Sequence, residues 1–214
     1  MTAQLLRTME PHCDYAEMLR LVEQQGKIIF GSFYKIHKVD EPVVRRMITY
    51  FFQDVEMARA EGIRLGKGLM LSGPTGCGKT ALMQIFTAMS GGDFVPHIVS
   101  AGQVALDYAD KGHVIIRKYG DQSFHPVTRH PIVYCFDNLG AERPMCHFGP
   151  PCNVLAEILI SRGEMAASQL MLTHVTTRMD AVSLEKHYGK AVRSLMRSMF
   201  NLIHFSKESP DKRR

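Results

Sequence analysis

No run of apolar residues in this chain approaches the roughly 20 needed to cross a bilayer, and its first residues lack the apolar core of a secretory signal. Both absences lead us to expect a cytoplasmic protein with no membrane partner. Cysteine is sparse and poorly placed for cross-linking. The five residues Cys13, Cys77, Cys135, Cys146 and Cys152 are odd in number and irregularly spaced, which excludes a disulfide framework. A C-x-x-C pair is also missing, and Cys146-His147 with Cys152 has no evident fourth ligand, which argues against a structural zinc site. There is no internal repeat and no low-complexity segment. Neither sign of charge dominates: 26 Lys and Arg against 21 Asp and Glu leave a formal +5. That excess is too mild to be a nucleic-acid signature by itself. Much of it sits in Arg45-Arg46, Arg193, Arg197 and the closing Lys207, Lys212, Arg213 and Arg214.

The rest of the composition is ordinary. With 214 residues, 45% of them hydrophobic and 22% charged, the chain suits one soluble domain with a sizeable core. Against that background one stretch stands out. Gly73-Pro74-Thr75-Gly76-Cys77-Gly78-Lys79-Thr80 fills every fixed position of G-x-x-x-x-G-K-[ST]; the apolar Leu69-Met70-Leu71 precedes it and the helix-like Ala81-Leu82-Met83-Gln84-Ile85-Phe86 follows. Strand, glycine loop and helix in that order make a phosphate site. The glycines let several backbone N–H groups converge on phosphate oxygens, and the helix adds the positive end of its dipole. Lys79 is expected on the β- and γ-phosphates of a nucleoside triphosphate such as ATP, and the hydroxyl of Thr80 on Mg²⁺.

Elsewhere the pattern alternates. Tyr15, Met18, Leu19 and Val22 predict a helix within residues 1–26, which Pro11 could start; Ile28-Ile29-Phe30 and Phe33-Tyr34-Lys35-Ile36 read as extended. Asp40 and Pro42 mark a helix start, as N-cap and first-turn proline, for an apolar stripe from Val44 to Val55 that ends near Gly62. Ser90-Gly91-Gly92-Asp93 breaks the loop helix. Strands are expected over 94–100, 132–136, 170–173 and 201–205, and helices over 103–110, 153–166, 183–187 and 190–199, with 114–119 helical or extended. Strands alternating with helices predict a doubly wound parallel α/β domain. The continuous apolar run Ile132-Val133-Tyr134-Cys135-Phe136 reads as a strand buried on both faces. It delivers Asp137 at a carboxyl end, where an acid that holds Mg²⁺ is needed.

Three further stretches carry a resemblance. Cys135-Phe136-Asp137-Asn138-Leu139-Gly140-Ala141-Glu142 resembles the "hhDDLGxE" stretch of the bacterial helicase-loader and insertion-sequence transposition ATPases. Thr173-His174-Val175-Thr176-Thr177-Arg178 resembles their sensor strand, and Tyr188-Gly189-Lys190-Ala191-Val192-Arg193-Ser194-Leu195-Met196-Arg197 their "YGxRVxSRLxxM". The likeness runs from about Val39 to Phe205. It implies an AAA+ type P-loop NTPase, a five-stranded parallel sheet with helices on both faces; no lid domain is expected after Phe205, where few residues of the sequence remain. The implied layout is an N-terminal helical or extended segment over 1–38, the ATPase domain over 39–206 and a basic disordered tail over 207–214.

The departures from the family pattern fall on catalytic positions. Asn138 stands where a second acid polarises the attacking water, and an amide cannot take a proton at pH 7. Arg178 replaces the sensor Asn, and Leu195 replaces the trans-acting finger Arg. Arg193 and Arg197 lie two residues either side of Leu195, about 200° away on a helix, so either could substitute only with a shifted register. Nucleotide binding is therefore expected, with weak hydrolysis. The resemblance also implies ATP-dependent self-association, contact with DNA, single-stranded above all, and a helicase as protein partner. Lys111, His113, Arg117 and Lys118 are candidate DNA contacts, with Tyr119 available to stack on a base. A second sensor could come only from Arg213 or Arg214. Two other readings are an ATP-binding partner of a transposase that selects target DNA, and a small-molecule kinase. The kinase reading lacks an arginine-rich lid pattern, although Arg143 and Arg162 are present.

Overall fold

The computed structural model describes residues 14–91 and 95–213. Pro11 as a helix start, Cys13, the Gly92-Asp93-Phe94 part of the expected break and strand, and Arg214 lie outside the described residues. The chain divides into two compact units. One comprises the described parts of Met1–Leu65, Gly73–Val95 and Ile203–Arg214; the other comprises Gly66–Ser72 and Pro96–Leu202.

The second unit is built on a sheet. Strands β1 (Gly68–Ser72), β2 (His97–Ser100), β3 (Tyr134–Leu139), β4 (Thr173–Thr177) and β5 (Phe200–His204) form one five-stranded sheet in the order β2-β3-β4-β1-β5. The pairs β2–β3, β3–β4 and β4–β1 are parallel, with Cys135 opposite Ile98 and His174, and Val175 opposite Met70. This is the α/β fold the sequence predicts. Around the sheet run α5 (Ala101–Lys111), α6 (His113–Tyr119), α7 (Val154–Gln169) and α8 (Ala181–Met199). Their apolar faces and the strands share one core that includes Val104, Tyr108, Phe136, Leu155, Leu159, Val175, Val192 and Met196. Asn153 caps α7 by accepting from Ala156 N–H, and Asp180 caps α8 by accepting from Ser183 N–H. Gly189, at φ 85°, interrupts α8 where the sequence predicts a gap between two helices.

Two strands are displaced from their expected positions. The Ile132 N–H bonds to the Ser123 carbonyl at 2.8 Å and the Ile132 carbonyl accepts from Arg162 at 2.9 Å, so β3 starts at Tyr134 and runs on through Asp137 and Asn138. Leu170, in the left-handed region at φ 53°, ends α7, and its carbonyl accepts from Leu172 N–H at 2.9 Å. That tight turn uses up the apolar run expected as a strand, and β4 begins at Thr173.

The first unit is helical: α1 (Tyr15–Phe30), α2 (Glu41–Phe51), α3 (Val55–Ala60) and α4 (Lys79–Met89). Met18 and Val22 from α1, Val44, Met47 and Ile48 from α2, and Met83, Ile85 and Phe86 from α4 are buried, and the rings of Phe51 and Phe86 stack at 5.0 Å. Here α1 runs straight through Ile28-Ile29-Phe30, which the pattern assigns to extended structure. Gly26 does not stop it because that glycine is a notch: a Cβ there would sit 2.2 Å from the Tyr34 ring. The helix ends instead at Gly31, φ 98°. The single helix expected to end near Gly62 is two, since Asp54 accepts from Met57 N–H and starts α3 afresh.

Candidate functional site

In the first unit the loop from Gly73 to Gly78 leads into α4. Gly76 and Gly78 adopt φ 81° and 99°, a region open to glycine at no steric cost. Lys79 folds back over the loop, donating to the carbonyls of Gly73 at 2.9 Å and Pro74 at 2.7 Å, with the Cys77 sulfur at 3.6 Å. Thr80 is in the first turn of α4, half-buried, and Thr75 is exposed. Cys77 is fully buried, which pushes its thiol pKa up and leaves it a packing residue. A glycine loop, an ammonium within reach and a hydroxyl at a helix N-terminus form a donor set that fits a polyphosphate.

The described part of the tail expected to be disordered, residues 207–213, lies against this loop. The Lys212 N–H donates to the Gly76 carbonyl at 3.0 Å, and the Lys212 ammonium donates to the Cys77 carbonyl. The same ammonium pairs with Asp40 at 2.6 Å, and the Ser209 hydroxyl also bonds Asp40. Asp40 is therefore buried as a counter-ion; it stands at the N-cap position of α2 without a side-chain capping bond. Phe205, fully buried, backs the start of the loop: a Cβ on Gly73 would meet its Cβ at 2.6 Å.

In the second unit β4 lies between β1, the strand that leads into the loop, and β3, the strand that carries Asp137. The intervening strand contributes Thr176. Its hydroxyl donates to Asp137 Oδ1 at 2.6 Å and accepts from Asn138 N–H at 2.9 Å. Asp137 is half-buried. Asn138 is exposed, in the left-handed region at φ 60°, at an irregularity in the β3–β4 register. Thr177 donates to the Leu139 carbonyl at 2.7 Å, and Arg178 follows as an exposed residue just past β4. Two of the resembling stretches meet here: Tyr188 donates its hydroxyl hydrogen to the buried Glu142, which also accepts from Gly140 N–H at 2.8 Å. Burial beside that carboxylate pushes the Tyr188 pKa up.

Other predicted residues fall differently. Leu195 is half-buried and packs on α7, where a Cβ added at Gly163 would lie 2.7 Å from its methyl. Arg193 is half-buried, and its Nε has no hydrogen-bond partner. Tyr119 is buried, edge-on to Tyr134 at 5.0 Å, and so cannot stack on a base; Lys111, His113, Arg117 and Lys118 are exposed. Arg162 is fully buried, donating to Tyr119, Ile132 and Leu172 carbonyls and to the Ser123 and Thr173 hydroxyls. That removes it as a lid arginine for a kinase. Cys146 is exposed, and His147 Nδ1 is 3.0 Å from the Ala109 carbonyl; among the described residues no cluster of metal ligands forms. Sequence reasoning missed Thr176 as a positioning group, although it lies in a stretch already singled out. It missed Asp40 and Lys212 because nothing local links them.

No protein-family model matches the chain, and no curated protein does. Solved structures do. The DnaC helicase loader aligns with TM-score 0.54 at 18% identity, over 82% of this chain and 95% of that one. A protein from Streptococcus pyogenes serotype M3, described as a primosome component, aligns with 0.53 at 18%, over 81% and 85%. DnaI aligns with 0.51 at 17%, over 83% and 90%. At these identities the likeness carries the fold: this chain has the P-loop α/β fold seen in solved helicase loaders.

Proposed function

We propose that this chain binds ATP with Mg²⁺ and acts as an AAA+ type assembly factor on DNA in the manner of a helicase loader, with slow hydrolysis. The observation that carries the reading is the phosphate loop, complete in sequence and shaped by left-handed Gly76 and Gly78, in a fold shared with solved helicase loaders. Lys79 would exchange the carbonyls of Gly73 and Pro74 for phosphate oxygens. The amides of residues 76–80 and the dipole of α4 add to the same anion. We assign Thr80 and Asp137 to Mg²⁺ on their chemistry, since this ion takes hard oxygen ligands. The metal's contribution is to neutralise charge on the phosphates.

Support for slow turnover comes from three positions. Asn138 has an amide where a base is needed, Leu195 is tucked against Gly163, and Arg178 takes the place of an Asn. ATP then serves as a conformational ligand for a homo-oligomer. Exposed Lys111, His113, Arg117 and Lys118 are offered to the backbone of single-stranded DNA, and a helicase is the protein partner. Titration with Mg²⁺–ATP should show micromolar binding that Lys79→Ala abolishes, with phosphate release near background. Absence of binding overturns the whole reading, and rapid phosphate release overturns the slow-turnover part. Light scattering after size exclusion, with a non-hydrolysable ATP analogue and single-stranded DNA, should show nucleotide-dependent assembly.

A further inference from the structure

A phosphate loop works by turning its N–H groups toward the anion, which forces carbonyls the other way. Those carbonyls need donors of their own. Here four carbonyls of the loop are satisfied by two lysines. Lys79, from the loop's own helix, covers Gly73 and Pro74. Lys212, far along the chain, covers Gly76 with its backbone N–H and Cys77 with its ammonium.

The two lysines are held differently. The Lys79 contacts are the ones a triphosphate would break, because that ammonium is expected on the β- and γ-phosphates. Lys212 is anchored from behind by Asp40, whose carboxylate is buried and whose second tail partner is Ser209. Its ammonium also lies 5.4 Å from the centroid of the Phe205 ring. The Lys212 contacts bring donors to loop carbonyls, and the carboxylate of the neighbouring Asp211, engaged by Arg213, lies close beside Gly76.

We propose that Lys212 is a positioning residue of the nucleotide site: anchored by Asp40, it keeps the Gly76 and Cys77 carbonyls turned away from the bound triphosphate, so that the loop is preorganised for it. The proposal rests on the reading that the loop binds nucleotide. Without Lys212 those two peptide groups can rotate, and a carbonyl turned inward would repel a phosphate. Preorganisation of this kind shows in affinity, with little change in what the ligand touches.

The test uses the full chain, a non-hydrolysable ATP analogue with Mg²⁺, and the variants Lys212→Met, Lys212→Arg and Asp40→Asn. Lys212→Met should weaken binding on the order of tenfold, the size of one charge-assisted hydrogen bond. Lys212→Arg, which keeps a cation on a long stem, should recover most of that. Asp40→Asn should fall between the two. In ligand-free protein the amide resonances of Gly76 and Gly78 should move in Lys212→Met and stay near their wild-type positions in Lys212→Arg. That local readout separates loop positioning from general loss of stability, which thermal melting reports. Equal or tighter binding by Lys212→Met, or unmoved glycine amides, overturns the proposal; tighter binding would mean that the tail obstructs the site. If the wild-type chain binds no nucleotide while Lys79→Ala melts normally, it is the nucleotide reading that fails, and the Lys212 role in binding fails with it.

Discussion

Thr176 and Asp137, on adjacent parallel strands, are joined at 2.6 Å by a hydrogen bond in which the threonine hydroxyl is the donor. The same oxygen accepts the N–H of Asn138 at 2.9 Å, so one hydroxyl fixes both the carboxylate and the backbone turn beside it. Thr176→Val removes both bonds. It should cost about 1–2 kcal/mol of stability through the unpaired N–H, and Thr176→Ser should restore it. Nucleotide titrations with Mg²⁺ and with chelator should show the loss concentrated in the Mg²⁺-dependent part of the affinity. A loss of equal size under both conditions would mean that Asp137 does not serve the metal.

The left-handed backbone at Asn138 restricts what can replace it. Asn and Asp tolerate this conformation better than Glu. Asn138→Asp should therefore fold normally and raise phosphate release above background, by far less than the ~10²–10⁴ that a well-placed general base supplies, because Leu195 and Arg178 are unchanged. Asn138→Glu should give less activity and a lower melting temperature. Steady-state phosphate release checks both.

Arg162 is a buried cation whose named partners are three carbonyls and two hydroxyls. Burial pulls its pKa down to about 10, so it stays charged at neutral pH. Arg162→Met strands carbonyls from three segments and should cost about 3–5 kcal/mol. Lys should not rescue it, since a compact ammonium cannot span the same fork. Urea unfolding monitored by circular dichroism measures both.

His174 accepts the Leu69 N–H at 3.0 Å on Nδ1, and complete burial pushes its pKa down from 6.5 to about 3. The unfolded chain takes up a proton below about pH 6.5 that the folded chain refuses until about pH 3. Stability is therefore full above that window and falls as pH drops through it, by at most about 1.4 kcal/mol per unit. His174→Asn keeps an acceptor without titrating in this range. Its melting temperature should decline less steeply between pH 6.5 and pH 4.

The fold and the phosphate loop were legible because their signals are local: glycine spacing, apolar runs and capping residues each act over a few positions. Gly189 as a break in α8 was readable on the same grounds. What stayed hidden depends on contacts distant in sequence. Ile28-Ile29-Phe30 resembles a strand until Tyr34 is seen to need the notch at Gly26. Asp40 carries a sound N-cap signal, but the half-buried ammonium of Lys212, distant in sequence, takes its carboxylate. Tyr119 sits beside exposed basic residues in sequence, yet its ring belongs to an aromatic cluster with Tyr134 and Phe136. Leu195 lies in a stretch singled out for its polar residues, yet its side chain packs against Gly163 of α7.

The first unit is assembled from three separated pieces of chain, and the bond from Ser209 to Asp40 spans 169 positions. Synthesis on a ribosome delivers these pieces in order. The helices α1 and α2 and then the glycine loop emerge while Lys212 is still unmade, so the Gly76 and Cys77 carbonyls and the Asp40 carboxylate must wait in water. The loop reaches its final hydrogen-bonded state only after residue 212 has been translated. Its maturation is set by translation as well as by local folding speed.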